Sequence, residues 1–217
     1  VLLFELSSCA VNTKSAEQTG FSMGSLVGIK LYGKDASALE NANLLAEAVK
    51  TDERISKNYE GSDIYRVNSS GEHGETVRSE TYDELRTVCE VYSESHGKAA
   101  ALSGALTELW GFDTDDFRLP SEDEILSAKE KCGDDKLIFG DGNTVYIPDG
   151  AKLNLGSAGK GIALDEAVKR IDEINSQGGK ITSTAITITV IIMSAAPCFP
   201  KSFLSISDKR VIAVCYF

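Results

Sequence analysis

The stretch KLNLGSAGKGIALDEAVKRI, Lys152 to Ile171, decides the fold, because three glycines and a lysine separate a short apolar run from an amphipathic one. Its pattern is a strand that ends, a backbone that glycine frees for close approach, and a helix starting at about Ala158 to Ile162. A helix N-terminus with free N–H groups and a lysine beside it suits an anion. Two nucleotide-loop patterns fail here. A P-loop needs glycine where Asn154 stands and a hydroxyl where Gly161 stands. A dinucleotide fingerprint needs glycine or alanine where Leu164 stands. From the turn alone, an anion site and a plain strand-to-helix turn with a solvated Lys160 both remain open.

Outward from this turn, helix and strand signals mix without a regular βαβ alternation, so the fold class is α+β. Leu26 to Leu31 reads as a strand closed by Gly33. Asp35 can cap a helix with Leu39, Ala42, Leu45, Ala46 and Val49 at helical period. Lys57 to Gly74 reads as a loop. Thr81 to Glu84 matches a capping box, and Tyr82, Leu85, Cys89 and Tyr92 share one face of the helix it would open. A second box, Ser121 to Glu124 after Pro120, opens a helix expected to end at Gly133. LIFGDGNTVYI, Leu137 to Ile147, carries Asp141-Gly142 between β-prone runs, a hairpin signal.

At 217 residues and 42% hydrophobic, the chain can build one sizeable core. A formal net charge of −11 and the lack of any Lys/Arg cluster exclude a nucleic-acid partner. Five scattered cysteines without a C-x-x-C pair, and two histidines, argue against a zinc site or disulfide framework.

Both ends differ from the middle. The chain opens on Val1, and its start is expected to lie upstream. VLLFELSSC resembles a bacterial lipobox, in which the signal peptide is cut before Cys9 and that cysteine is lipidated, tethering the domain to a membrane surface. A buried strand ending in a small-residue turn is the alternative, and Glu5 favours it. Residues 10–20 read as a polar spacer. From Ile181 to Phe217 the one acidic residue is Asp208. The hydroxyls and prolines of ITSTAITITVIIMSAAPCFP make a poor membrane span, while its Thr-Ile alternation suits buried strands. A shifted reading frame or truncated gene would also produce such a loss of charge.

Met23-Gly24-Ser25 before a strand, SKNYEGSDIYRVN (Ser56 to Asn68), LWGF (Leu109 to Phe112), PSEDEI from Pro120 and LNLGSAGKGIALD (Leu153 to Asp165) occur in this order. In that combination, over about Gly20 to Asn175, the chain resembles the ApbE-type FAD:protein FMN transferases, usually periplasmic lipoproteins of bacteria. The resemblance implies an enzyme that binds FAD with Mg²⁺. It implies transfer of FMN to a Ser or Thr hydroxyl of a target, a flavin-accepting subunit of a membrane redox pump, with release of AMP. It places the protein in the cell envelope, anchored to the membrane surface by lipid. It also implies the domain plan: residues 1–20 signal remnant and spacer, 21–177 transferase domain, 178–217 a divergent tail.

Carried over position by position, the resemblance makes Met23, Asn58, Tyr59, Asn154 and Lys160 cofactor-binding residues and Ser157 a magnesium ligand, and assigns no catalytic residue. Ser62 and Asn68 are expected to fix their loop through side-chain hydrogen bonds to backbone. At Asn154 the family commonly has Asp; Asn keeps the acceptor and drops the charge. Gly97 to Leu102 departs further, with alanines where the family's G-x-F-D-x-T has its aromatic and aspartate, and AAALSGAL is a good helix former. These departures leave a non-catalytic FAD-binding lipoprotein as the alternative function.

Overall fold

The computed structural model describes residues 14–111 and 117–189, with the backbone alone for Ala38 and residues 182–189. The lipobox around Cys9, Phe112 of LWGF and the tail beyond residue 189 lie outside the described residues. In chain order the elements are β1 (Ser15–Ser22), β2 (Ser25–Gly33), α1 (Ala38–Ile55), α2 (Asp63–Ser70), β3 (Glu75–Thr76) and α3 (Ser79–Glu94), then α4 (Gly104–Leu109), α5 (Glu122–Lys129), β4 (Ile138–Gly140), β5 (Thr144–Tyr146), α6 (Gly159–Ser176) and β6 (Ile181–Thr189). The α+β class expected from the sequence is what forms. Among the described residues no helix is long and apolar enough to cross a membrane. The chain divides into two compact units, whose boundaries fall inside α1 and α6.

The first unit holds an antiparallel sheet in the order β1-β2-β6. Val27, Ile29 and Leu31 alternate inward along β2 and are buried, as a half-buried strand requires. The polar stretch read as a spacer is, from Ser15 onward, an edge strand. Its polarity follows from exposure on alternate residues, and Glu17 sits opposite Lys30 with a 3.2 Å ion pair. β6 realises the Thr-Ile alternation of the tail as a strand. Asn175 sets its start, donating from Nδ2 to Ile181 O (3.1 Å) and accepting from Ile181 N at Oδ1 (2.9 Å).

Helix α1 differs from its expected form at both cap and face. Ser37 Oγ accepts from Glu40 N (3.2 Å), while the Asp35 carboxylate accepts from Lys180 N (2.8 Å). Leu39 is 69% exposed, and the buried positions are Asn41, Leu44, Ala48, Thr51 and Ile55. Two small polar residues on the inner face displaced the apolar period by one position.

The second unit packs Ile55, Ile64, Val67, Leu85, Leu102, Val145, Ile147, Leu153 and Ile162 into one core beside the small sheet β3-β5-β4. The expected hairpin is β4 and β5, with a three-residue loop in which Gly142 and Asn143 take φ of 65° and 59°. The segment read as a loop contains α2, capped by Ser62 Oγ accepting from Tyr65 N (2.9 Å). The capping box at Thr81 does not form. Helix α3 starts earlier, and Thr81 Oγ1 donates to the buried Asp63 (2.6 Å) and accepts from Arg54 (2.9 Å). Glu84 makes two bonds to Arg54 instead, at 2.5 and 2.6 Å. Leu85, Tyr82 and Cys89 do face the core, as expected. The box at Ser121 forms in full, though its helix ends at Lys129.

Candidate functional site

The glycine stretch forms the turn and helix expected of it but not the strand: Leu153 and Leu155 are buried, yet residues 151–154 form no strand, residues 155–158 are in turns and α6 begins at Gly159. A Cβ at Gly159 would lie 3.1 Å from Ile55 Cδ1, so the start of α6 rests on the last residue of α1. The loop Ser56 to Ser62 leaves α1 at that point. Ser157 is exposed and Lys160 half-exposed, and neither side chain has a hydrogen-bond or ion-pair partner among the described residues. An exposed hydroxyl and an unpaired ammonium at the N-terminus of an eighteen-residue helix are free to meet an anion.

Asn154 shapes the turn. Its Oδ1 accepts from Gly156 N (2.9 Å), and its Nδ2 donates to Thr107 Oγ1 (3.0 Å). Its backbone N donates to Ala101 O (2.7 Å), and Gly104 N donates to Lys152 O (2.8 Å). The segment 101–104 therefore runs hydrogen-bonded along 152–154. On the other flank Asn68 clamps Leu153 twice, through Nδ2 to Leu153 O (2.9 Å) and Oδ1 from Leu153 N (2.7 Å), and its carbonyl accepts from Lys152 Nζ (2.8 Å). Asn68 thus fixes backbone, as expected, although the backbone is that of the turn's entry.

The loop Ser56 to Ser62 is braced by Ser62, whose hydroxyl donates to Ser56 O and whose N donates to Tyr59 O (2.8 Å). Asn58 is exposed, its N–H donating to Ser56 Oγ (3.3 Å). Tyr59 is 54% exposed and its ring lies over Gly61, where a Cβ would come within 3.0 Å of Cε1. Asn58, Tyr59, Asn154, Ser157 and Lys160 all belong to the second unit. Met23 belongs to the first, at the tip of the β1-β2 hairpin. Met23 and Gly24 have φ of 53° and 62°, a two-residue turn of the type that demands left-handed backbone at both positions.

The alanine stretch is not the helix its composition suggests. Only Gly104 to Leu109 is helical. The buried Asp134 prevents the rest, its carboxylate accepting from Ala101 N (3.0 Å) and Leu102 N (2.6 Å). Burial pushes that carboxyl above its ordinary range, the two N–H donors opposing. Asp134 follows the expected helix end at Gly133, and nothing in the sequence spacing marks it as reaching residues 33 and 32 positions earlier. The donors at the turn do not by themselves fit a resident magnesium ion. Ser157 Oγ and Asn154 Oδ1 are two oxygens where the ion takes six. Among the described residues no cluster of three or more His, Cys, Asp or Glu could hold a metal.

The model of the ApbE family matches residues 23–185, running past the point at which the quoted motifs end. Among solved structures, an ApbE protein from Thermotoga maritima is similar with a TM-score of 0.71 and 24% identity, covering 82% of this chain and 59% of its own. The flavin transferase ApbE from Vibrio cholerae gives 0.68 and 20%, with the same coverage. The flavinyl transferase ApbE from Pseudomonas stutzeri, in its apo form, gives 0.71 and 21%, covering 82% and 58%. At such identities these likenesses speak for the fold. The chain spans just under three fifths of the length of each. No curated protein sequence matches it.

Proposed function

The chain belongs to the ApbE family, and on that premise we propose that it is a flavin transferase that binds FAD with its pyrophosphate at the turn Asn154 to Lys160. One observation carries this reading: among the described residues Ser157 and Lys160 have no side-chain partner at the N-terminus of α6, on a turn held from both sides by Asn68 and by residues 101–107. Preorganised donors that need no reorganisation are what a displacement at phosphorus uses.

In the reaction, a Ser or Thr hydroxyl oxygen of the target protein forms a bond to the FMN phosphorus. The bond from that phosphorus to the bridging oxygen breaks, AMP leaves with that oxygen, and the hydroxyl proton is released. Lys160 and the first N–H groups of α6 offset the charge on the pyrophosphate. Asn154 keeps the turn open. Tyr59 offers an aromatic face to the flavin; the thioether of Met23 is assigned to the flavin by the family resemblance alone. Any Mg²⁺ would come bound to the pyrophosphate, with Ser157 Oγ as the hydroxyl that the family resemblance assigns to it. The target is a flavin-carrying subunit of a membrane redox pump. The protein acts at the cell envelope, with Cys9 as its lipid anchor and residues 21–177 as its catalytic domain.

The second reading, a lipoprotein that binds FAD without transferring it, is favoured by Ala99 and Ala100 where the family has its aromatic and aspartate. Incubating the protein with FAD, Mg²⁺ and an acceptor peptide separates the two. AMP release with covalent flavin on the peptide supports the transferase. Saturable FAD binding with neither product supports the carrier.

A further inference from the structure

We propose that Asp134 is a positioning residue for the turn bearing Asn154, Ser157 and Lys160, acting through the backbone of Ala101 and Leu102. The role rests on the flavin-binding reading of that turn. Residues 99–101 are three alanines, with only methyl side chains, none able to hydrogen-bond, and the highest helix propensity of any residue. Left to itself this stretch would join α4, which starts three residues later at Gly104. Instead the Asp134 carboxylate, 2% exposed, takes one N–H on each oxygen, at 3.0 Å from Ala101 and 2.6 Å from Leu102. These N–H groups are thereby held out of a helix. Ala101 O is turned toward Asn154 N at 2.7 Å, and Gly104 is pressed so close to Lys152 that a Cβ there would sit 2.6 Å from Lys152 Cβ.

The chemistry of the acceptor matters. A carboxylate offers two equivalent acceptors to two consecutive donors, whereas an amide offers one and turns its NH₂ against the other. Among the described residues Asp134 has no cationic partner, so it is a buried charge held by two backbone donors alone. Burying such a charge is costly. What it secures, alongside the bonds of Ala99 N to Ser95 Oγ (3.1 Å) and Gly133 N to Leu102 O (3.1 Å), is the path of the segment that registers the candidate pyrophosphate turn.

FAD titrations followed by flavin fluorescence test this, with the wild-type protein, Asp134→Ala, Asp134→Asn, Asn154→Ala and the Asp134→Ala/Asn154→Ala double variant. Loss of both bonds is expected to weaken FAD binding about tenfold, with Asp134→Asn between it and wild type. The path held by Asp134 also sets α4, whose Thr107 Oγ1 accepts from Asn154 Nδ2 at 3.0 Å, so its effect reaches the turn through the Asn154 side chain and the double variant is expected to bind within about twofold of Asn154→Ala alone. Helix content by circular dichroism is expected to rise in Asp134→Ala as the alanines join α4. Losses that multiply in the double variant, or Asp134 variants that bind FAD as the wild type does, overturn the positioning role and leave the flavin reading intact. A wild-type protein that binds no FAD overturns the flavin reading, and this role with it. If Asp134→Ala does not fold, Asp134→Asn carries the same cycle, since it preserves shape and one acceptor.

Discussion

Met23, assigned to the flavin by the family resemblance, carries a conformational cost that its sequence context conceals. Left-handed backbone costs a side-chain-bearing residue roughly 1–2 kcal/mol, and Met23 sits there at φ 53°. Met23→Gly is therefore expected to stabilise the protein by about 1 kcal/mol in thermal or urea unfolding while weakening FAD binding. A variant gaining both stability and affinity would remove Met23 from the flavin site. Glu124 gives the pH counterpart. The Ser121 backbone N–H first, then Arg118 and the Ser121 hydroxyl, lower its carboxyl from 4.5 to about 2. A lowered folded value means the cap's support is present above the ordinary value and is lost as the pH falls from about 4.5 through about 2. The carboxyl carbon shift of Glu124 should titrate with a midpoint near 2 and move upward in Arg118→Ala. A midpoint unchanged by Arg118→Ala would deny Arg118 that part.

At the scale of elements, the sequence showed most where one face is apolar and the ends carry turn chemistry. Strand β2, the hairpin of β4 and β5, the cap of α5 and the glycine turn into α6 follow from alternation, glycine and capping residues, whereas the strand expected before that turn does not form. The misreadings share a cause, which is polar residues serving tertiary contacts. Thr81 and Glu84 mimic a cap but serve Asp63 and Arg54. Asp35 mimics another but receives Lys180 N. Asp134 overrides the helix propensity of the alanines from thirty residues away, a distance no local pattern spans. In α1, Asn41 lies fully buried with neither amide atom bonded to any of the described residues. Asn41→Leu is expected to raise stability by about 1–3 kcal/mol, read as a higher melting temperature, since it removes an unmet polar group from an apolar face. A lower melting temperature would show that the amide is satisfied in solution.

At the scale of the molecule, the family and α+β class were legible because they rest on the order of several motifs along the chain. The site was legible only in part. Asn154, Ser157 and Lys160 meet on one turn, Asn58 and Tyr59 share the braced loop leaving α1, and Met23 stands on the hairpin of the first unit. With two side-chain oxygens at the turn, magnesium would reach the site largely on the pyrophosphate itself. FAD binding is therefore expected to persist in EDTA, losing less affinity than Lys160→Ala loses; abolition by EDTA would mean a protein magnesium site beyond Ser157 and Asn154. The most direct test of the account is FAD titration of the wild-type protein against Lys160→Ala. Saturable one-to-one binding, weakened at least about tenfold by loss of the ammonium, is the result predicted. Equal affinity in the two proteins would contradict the placement of the pyrophosphate at this turn.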